Sequence, residues 1–300
     1  MLINSAKKII FLYVVFFPIC IFSYQQDPAS RPVPRDQNVV IERQKEEKEV
    51  LDNKFAITLH KPNYILPFYY TGSPYNAVYI NETPSNESLK HSEIKYQLSF
   101  KVPLWNNILT TPTSLYLAYT QLSYWQLYNK KSFFRSTDYE PELFTQTKLN
   151  WNMGHNWFLN SIKFGAVHQS NGFGNTMERS WNRVYLEVSA SNEHGLISIQ
   201  PWYIFHDNLY HTYNPDMAKY LGYGEIILAY KFNQQTISLQ AHSLIENRAR
   251  YATGIVRYTF PIINQINGFV ELFSGYGQSL IEYNHRTNSV GVGLALNNYI

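Results

Sequence analysis

The segment Ser289-Val-Gly-Val-Gly-Leu-Ala-Leu296 (SVGVGLAL), near the end of the chain, alternates between two kinds of side chain. Large apolar residues stand at positions 290, 292, 294 and 296, and small residues stand at 289, 291, 293 and 295. Successive side chains of a β-strand point to opposite faces, so this strand has one apolar wall and one wall of small groups. An apolar wall toward lipid is typical of a strand in a transmembrane β-barrel. A soluble β-sandwich is the alternative that the pattern leaves open.

Short alternating segments of the same kind recur from about Phe55 to the end of the chain, separated by clusters of Asn, Gly, Pro and Ser. We predict twelve strands, near residues 56–70, 93–103, 114–127, 142–152, 156–170, 181–191, 195–206, 222–232, 235–245, 250–260, 266–275 and 287–297. Each is close to the roughly 9–11 residues that a tilted membrane strand requires. An even number of strands suits a closed bacterial barrel. The sequence therefore predicts an all-β fold, a twelve-stranded antiparallel transmembrane β-barrel over residues 55–300.

The composition agrees with this prediction. The chain has 25 Tyr, 18 Phe and 6 Trp, and only 16% of its residues are charged. Aromatic girdles at the two membrane interfaces of a barrel account for such an excess. No segment after residue 23 approaches the roughly 18 consecutive apolar residues of a membrane-spanning helix, which excludes a helical membrane protein.

The beginning of the chain reads as an export signal. Lys7 and Lys8 precede a nearly unbroken apolar run over residues 9–22, and Ser23 offers a small residue at a cleavage site. We predict a signal peptide over residues 1–23. An uncleaved membrane anchor is the alternative, and it is disfavoured because the run is shorter than the roughly 20 residues that cross a bilayer.

Residues 24–54 are polar and carry a charge cluster at 42–49, so we interpret them as a periplasmic N-terminal arm. Without residues 1–23 the formal net charge falls from +3 to +1, which gives no support for nucleic-acid binding. The single cysteine, Cys20, is removed with the signal. The mature chain then has no disulfide, no thiolate metal site and no cysteine nucleophile.

Two predicted strands around residue 175 carry the chemistry. One face of the first strand carries Ile162, Phe164, Ala166, His168 and Ser170. One face of the second strand carries Asn182, Val184, Leu186, Val188 and Ala190. Because the apolar sets must face lipid, His168, Ser170 and Asn182 are expected on the outer wall of the barrel.

The register of this hairpin can be tested against itself. If it is symmetric about Asn175, the numbers of cross-strand partners sum to 350. His168 then lies opposite Asn182, and Lys163 lies opposite Glu187 inside the barrel. One register makes both pairs, although a bulge or an irregular turn could shift it by a residue.

The three outward polar residues suit nucleophilic catalysis. A serine hydroxyl is a weak nucleophile unless an oriented base removes its proton. His168 and Ser170 project from the same strand face, and Asn182 can accept from one ring nitrogen while the other takes the serine proton. Asn182 adds no charge at a site near hydrocarbon, where an unpaired charge is costly. Gly172 could offer its backbone N–H to the developing oxyanion. The alternative is that His168 and Ser170 only mark the end of a strand.

The run His168-Gln-Ser-Asn-Gly172, followed by Arg179-Ser-Trp-Asn-Arg183, resembles the signature of the outer-membrane phospholipases A. The resemblance extends to Tyr119-Thr-Gln-Leu-Ser-Tyr-Trp-Gln126, Tyr139-Glu-Pro-Glu-Leu-Phe144, Pro201-Trp-Tyr203 and Phe273-Ser-Gly-Tyr-Gly-Gln-Ser-Leu-Ile281. It implies a barrel in the bacterial outer membrane that hydrolyses the sn-1 and sn-2 acyl esters of phospholipids. It also implies that Ser170 is the nucleophile, His168 the base and Asn182 the residue that orients the base.

The resemblance further implies Ca²⁺ near the oxyanion and activity as a homodimer. By this resemblance the ligands of the Ca²⁺ ion would be the backbone carbonyl of Phe173, the side chain of Glu178, and Ser132 reaching over from the partner copy. Gln121 has an argument of its own, because an amide in the lipid-facing stripe of its strand seeks a partner. The resemblance implies a hydrogen bond across the dimer interface. Interfacial placement or a luminal contact is the alternative for Gln121.

Two other functions remain open from the sequence. A passive porin or structural barrel explains the strands but gives no reason for three polar residues on one lipid-facing patch. A lipid A deacylase is also a barrel lipase with a His-x-Ser arrangement. The deacylases have an acidic residue as the third member of the triad, whereas this chain has Asn182.

Overall fold

The computed structural model describes residues 38–40, 57–206, 212–263 and 266–300. Within these residues thirteen antiparallel strands form one sheet, and twelve of them close into a barrel. The strands are β1 (Thr58–Leu59), β2 (Tyr64–Thr71), β3 (Ser92–Trp105), β4 (Thr113–Trp125), β5 (Phe134–Gly154), β6 (Trp157–Ser170), β7 (Ser180–Ser191), β8 (Gly195–Phe205), β9 (Gly224–Phe232), β10 (Gln235–His242), β11 (Thr253–Ile263), β12 (Ile266–Tyr276) and β13 (Arg286–Ala295). Each strand from β2 to β12 pairs with the next one, and β13 pairs with β2. The two-residue β1 adds a short pairing to β3. The predicted twelve-stranded barrel is confirmed.

The helical elements that lie wholly within the described residues and span three residues or more are short. They are the α-helix α1 (Met217–Leu221) and single 3₁₀ turns at Asn76–Tyr79, Pro84–Asn86, Ile108–Thr110, Asn175–Met177, Glu246–Ala249 and Leu280–Glu282. Within the described ranges, no helix is long and apolar enough to cross a membrane.

The strand alternation places apolar side chains outside. In β13, Val290, Val292 and Leu294 are 41%, 50% and 42% exposed, whereas Ser289 and Ala295 are 7% and 2% exposed. The seam with β2 is tight at Gly293, where an added Cβ would lie 2.0 Å from the carbonyl oxygen of Ile65. Glycine at this position therefore lets the last strand approach the second one and close the barrel.

Charged residues of different strands pair inside the barrel. Glu271 is fully buried and accepts from Lys95 Nζ at 2.5 Å and from Arg257 Nε at 2.9 Å. Arg135 makes a two-pronged pair with Glu93, with N–O distances of 2.7 and 2.8 Å. The lumen is thus filled by compensated charges, as expected for the polar side of a barrel wall.

The two ends of the barrel differ in the length of their connections. At one end the strands are joined by two to seven residues, and at the other by eight to twenty. The second set comprises residues 72–91, 126–133, 171–179, 206–223, 243–252 and 277–285, and we refer to this end as the long-loop end. In outer-membrane barrels the short turns are periplasmic and the long loops extracellular. Ser170 ends β6 at the long-loop end.

Some predicted boundaries differ from the structure. The segment expected at 142–152 is the 21-residue β5, which begins at Phe134 because the extended backbone continues through Pro141. The segment expected at 56–70 is divided between β1 and β2, with Pro62 between them.

The predicted signal peptide, residues 1–23, lies outside the described residues, as does most of the predicted arm. Three arm residues, 38–40, are described. Asn38 Nδ2 donates to the carbonyl of Ser191 at 3.1 Å, and the Val39 N–H donates to the carbonyl of Asn192 at 3.3 Å. These contacts hold this piece of the arm at the short turn after β7. The boundaries of the signal and the arm stay predictions.

Candidate active site

The β6–β7 hairpin has the predicted register. His168 lies opposite Asn182, Lys163 opposite Glu187, and Ser170 opposite Ser180. A register shift occurs only farther down the hairpin, between Leu159 and Ser161, so it does not disturb the end that carries the polar residues. The symmetry argument about residue 175 therefore holds for the upper part of the hairpin.

The outer face of β6 is the face that the sequence predicted. Phe164, Ala166 and His168 are exposed, whereas Gly165 and Val167 between them are buried. Asn182 and Ser170 are half-buried on the same outer surface. All three predicted catalytic side chains therefore lie together on the wall of the barrel rather than in its lumen.

The imidazole of His168 is held by Asn182. Its Nδ1 atom lies 2.8 Å from Oδ1 of Asn182, within hydrogen-bonding distance. Oδ1 can only accept, so Nδ1 carries a hydrogen in this contact, and in the neutral imidazole Nε2 is then the bare nitrogen. A neutral histidine in this tautomer can take a proton from a neighbouring hydroxyl.

The hydroxyl of Ser170 contacts Gly172. The Gly172 N–H donates to Ser170 Oγ at 3.1 Å. Ser170 and His168, which both lie within the described residues, form no hydrogen bond with each other. Their side chains nevertheless project from the same face of β6. The accepted bond leaves the hydroxyl hydrogen of Ser170 available for another partner.

Gly172 occupies a position that a side chain could not share. Its φ of +66° lies in the left-handed region, and an added Cβ would lie 2.8 Å from Cε2 of Tyr139. Tyr139 is the β5 residue that pairs with Ser170 across the ladder. The absence of a side chain thus lets the backbone N–H of Gly172 come close to Ser170.

The predicted calcium ligands lie in two loops at the long-loop end. Phe173 and Glu178 belong to the loop 171–179, and Ser132 is exposed near the end of the loop 126–133. The rings of Phe173 and Phe133 pack against one apolar cluster formed by Tyr79, Leu89, Met177 and Ile281. This shared anchor sets the loop 171–179 beside the loop that carries Ser132.

The chemistry of these donors fits a hard cation. A backbone carbonyl, a carboxylate and a hydroxyl are the oxygen ligands that Ca²⁺ takes in proteins. The half-buried Glu178 carboxylate makes no hydrogen bond or ion pair within the described part of the chain, so it remains available as a ligand. No group of three or more His, Cys, Asp or Glu residues is arranged for a metal among the residues that the structure describes. A calcium site here would therefore depend on carbonyl and hydroxyl oxygens in addition to one carboxylate.

Gln121 lies on the outer side of β4 and is half-buried. Its Oε1 accepts from the Tyr119 hydroxyl at 3.1 Å, and its Nε2 donates to Ser123 Oγ at 3.1 Å. Within one protomer the amide therefore already has two partners on its own strand. The predicted bond across a dimer interface stays a prediction.

Sequence reasoning missed two supports of the site, namely Tyr139 and Asn171. Tyr139 covers Gly172, and its pairing with Ser170 depends on the β5–β6 register, which hairpin symmetry about residue 175 does not address. Asn171 is 3% exposed and bonds to four backbone groups of its own loop. The sequence places Asn171 between Ser170 and Gly172, in the alternation that points inward. A polar residue at an inward position beside the predicted nucleophile could have indicated its supporting role.

Comparisons with known proteins identify the family of this chain. The family model described as Phospholipase A1 matches residues 40–296. The "Phospholipase A1" of Klebsiella pneumoniae is 36% identical over 248 residues, covering 82% of this chain and 84% of that protein. The "Phospholipase A1" of Escherichia coli strain K12 is 34% identical over 248 residues, covering 82% of this chain and 83% of that protein.

Two solved structures of outer membrane phospholipases have the same fold as this chain. The outer membrane phospholipase A of Escherichia coli superimposes with a TM-score of 0.78 at 32% identity, covering 84% of this chain and 97% of that chain. The Salmonella typhi outer membrane phospholipase, described as a dimer with bound calcium, gives the same TM-score of 0.78 at 32% identity, with the same coverage of 84% and 97%. The shared twelve-stranded barrel locates this protein in the bacterial outer membrane. The chain belongs to the phospholipase A1 family.

Proposed function

We propose that this chain is a calcium-dependent phospholipase that hydrolyses both the sn-1 and the sn-2 acyl esters of phospholipids, with Ser170 as its nucleophile. The observation that supports this proposal best is the 2.8 Å contact between His168 Nδ1 and Asn182 Oδ1, on the outer wall beside Ser170. A base held in one tautomer, next to a serine and facing lipid, suits an ester substrate that stays in the membrane.

In the first half of the reaction, Ser170 Oγ attacks the carbonyl carbon of the ester while its proton passes to Nε2 of His168. Asn182 keeps the imidazole in place through Nδ1–H. The protonated His168 then returns the proton to the glycerol oxygen as the ester C–O bond breaks. The products of this half are an acyl group on Ser170 and a lysophospholipid.

In the second half, water attacks the acyl carbon and His168 takes its proton. The bond to Ser170 breaks, the proton returns to Oγ, and a free fatty acid leaves. The Gly172 N–H, 3.1 Å from Ser170 Oγ, is close enough to donate to the carbonyl oxygen as negative charge develops there. The substrate oxygen would then replace Oγ as the acceptor of that hydrogen bond.

The calcium ion would be held by the Phe173 carbonyl, the Glu178 carboxylate and the Ser132 hydroxyl of a second copy. When bound, it supplies positive charge close to the developing oxyanion. The Salmonella typhi relative, described as a dimer with bound calcium, supports this part of the proposal. A site completed by a second copy would also restrain a lipase that resides in its own substrate.

The homodimer is proposed to meet along the outer face of β4, with Gln121 at the interface. Large apolar side chains are exposed in the single chain on this face and on the neighbouring strands β3 and β5, such as Leu117, Leu98 and Leu143. In the dimer, Gln121 would exchange one of its two partners within its own strand for a group of the second copy.

The deciding experiment measures fatty-acid release from phospholipid micelles by the purified full-length chain, with calcium or with a chelator. We expect calcium-dependent release that is lost in Ser170→Ala. Ser180→Ala is the matched control, because Ser180 lies opposite Ser170 at the same height on the neighbouring strand. Absence of release from a folded, dimeric wild type with calcium would overturn the enzyme proposal. Equal loss in both variants would overturn the assignment of Ser170.

Positional labelling tests the finer part of the proposal. Phospholipids labelled in either the sn-1 or the sn-2 chain are both expected to release label, and both releases should require Ser170. Release from only one position would restrict the activity. Release from lipopolysaccharide but not from phospholipid would favour the deacylase alternative.

A further inference from the structure

We infer that Asn171 is a positioning residue that sets the geometry of the proposed calcium site. The inference rests on the proposed function, because it concerns the loop 171–179 that carries Phe173 and Glu178. Asn171 follows Ser170 directly, and only 3% of it is exposed. It is buried behind the outer wall, so it acts through the loop and not on the substrate.

The backbone of Asn171 extends the β6–β7 ladder by one step. Its N–H donates to the carbonyl of Arg179 at 3.0 Å, in the register that pairs Ser170 with Ser180. Residues 172–178 are therefore the part of the loop that leaves the ladder. Their conformation depends on contacts other than strand pairing.

The side chain of Asn171 supplies three of those contacts. Its Nδ2 donates to the carbonyl of Met177 at 2.7 Å. Its Oδ1 accepts from the N–H of Phe173 at 3.3 Å and from the N–H of Arg179 at 3.0 Å. One amide thus joins the start of the loop to its end, and this requires a donor and an acceptor on the same short side chain.

These contacts fix the neighbours of both proposed ligands within one protomer. Phe173 is held by its N–H and by its side chain, which packs against the buried cluster that includes Met177. Glu178 lies between Met177 and Arg179, and both of these residues bond to Asn171. The carbonyl of Phe173 and the carboxylate of Glu178 are therefore held at a set separation by the residue that joins their backbones.

A second strut supports the outer half of the loop. Arg179 Nη1 donates to the carbonyls of Thr176 and Glu178, at 2.9 and 2.6 Å. Those two carbonyls are therefore already occupied by the guanidinium. Among the described residues the Phe173 carbonyl makes no such bond, so it stays available as the proposed backbone ligand.

The test measures calcium binding directly, by titrating CaCl₂ into the full-length protein in detergent, and measures fatty-acid release separately. We expect Asn171→Ala to weaken calcium binding by about 10- to 100-fold, the usual cost of losing a residue that supports metal ligands. At saturating calcium, release should recover most of its wild-type rate, because Ser170, His168 and Asn182 keep their places.

Asn63→Ala is the matched control for a general loss of stability. Asn63 is also buried, and its side chain forms hydrogen bonds with backbone groups of Lys61 and Ser99 at the opposite end of the barrel. This variant is expected to bind calcium as the wild type does. The gel mobility of unheated samples reports whether each barrel is folded.

Asn171→Asp separates positioning from simple charge. The added carboxylate near the ligands would tighten calcium binding if only electrostatic attraction mattered. The loss of the donor to Met177 should weaken binding instead. Wild-type calcium affinity in Asn171→Ala, or tighter binding in Asn171→Asp, would overturn the inference. A wild type that binds calcium but releases no fatty acid would overturn the proposed function and leave this inference standing.

Discussion

The two faces of the β6–β7 hairpin share one register but carry different chemistry. On the inner face, Lys163 Nζ lies 3.0 Å from a carboxylate oxygen of Glu187, and Arg183 lies 3.2 Å from Glu140. On the outer face, one neutral contact joins His168 to Asn182. The charged side chains that face the lumen form ion pairs, and the polar side chains that face lipid are neutral. Inner residues should therefore control the stability of the barrel, and outer residues should control turnover.

The sharpest test of this division is His168→Ala. We expect fatty-acid release to fall by about a thousandfold, within the roughly 10²–10⁴ range of general base catalysis. The unfolding temperature should stay unchanged, because the imidazole is exposed and makes one side-chain hydrogen bond to the described part of the chain. Rate measurements paired with thermal unfolding check both halves. A loss of stability that matched the loss of rate would break the comparison.

Asn182→Ala removes the group that orients the base without removing the base. Release is expected to fall roughly 10- to 100-fold, the cost of a misplaced catalytic group. Val184→Ala is the control, since Val184 is the next outward residue on β7 and faces lipid. If both variants kept the wild-type rate, Asn182 would have no orienting role.

Glu178→Ala extends the outer-face argument to the loop above it. The calcium concentration for half-maximal release should rise roughly tenfold, because ligand charge tunes calcium affinity. Glu82→Ala, a change of an exposed glutamate in the loop 72–91, should leave that concentration where it is. An unchanged requirement in Glu178→Ala would remove Glu178 from the ligand set.

Lys163→Met tests the inner face. The Lys163–Glu187 pair is 17% exposed on each side, so its loss should lower the free energy of unfolding by roughly 1–2 kcal/mol. Release should continue at the wild-type rate. Unfolding in urea measures the first quantity, and the double variant Lys163→Met/Glu187→Leu should recover part of the loss. Lower turnover in a barrel of unchanged stability would reverse the assignment of the two faces.

Gln121→Ala is expected to have the smallest effect. Its amide is satisfied within the protomer by Tyr119 and Ser123, so only the difference between two sets of bonds is at stake. Dimerisation in detergent should weaken by about threefold, since such bonds in membranes average about 0.6 kcal/mol. Sedimentation measures the dimer fraction, with Leu239→Ala, an exposed apolar residue of β10 away from the proposed interface, as the control. An unchanged dimer fraction would contradict the interface role.

The parts of the molecule that follow from alternation could be predicted from the sequence. The twelve strands, the outer position of His168 and its pairing with Asn182 all depend on a two-residue period and one turn. The full extent of β5 could not, because Pro141 and the polar residues before it read as a loop, although pairing with β4 and β6 keeps them extended.

Contacts across the lumen were also beyond the sequence. Lys95 and Glu271 are 176 positions apart, and they meet only because the barrel closes. Asn171 was missed for a related reason. Its role depends on the path of the loop 171–179, which has no periodic pattern, and only the folded loop brings Met177 and Arg179 back to its amide.

In the proposed reaction, the exposure of His168 on the outer wall also determines how the phospholipid arrives. A lipid moving sideways in its leaflet can meet this residue without leaving the membrane, so encounters take place in two dimensions. The relevant concentration is then the fraction of the surface occupied by phospholipid, not an amount per volume of water. Diluting phospholipid with an inert amphiphile should slow turnover, while adding more membranes of the same composition should not change the rate per bound molecule.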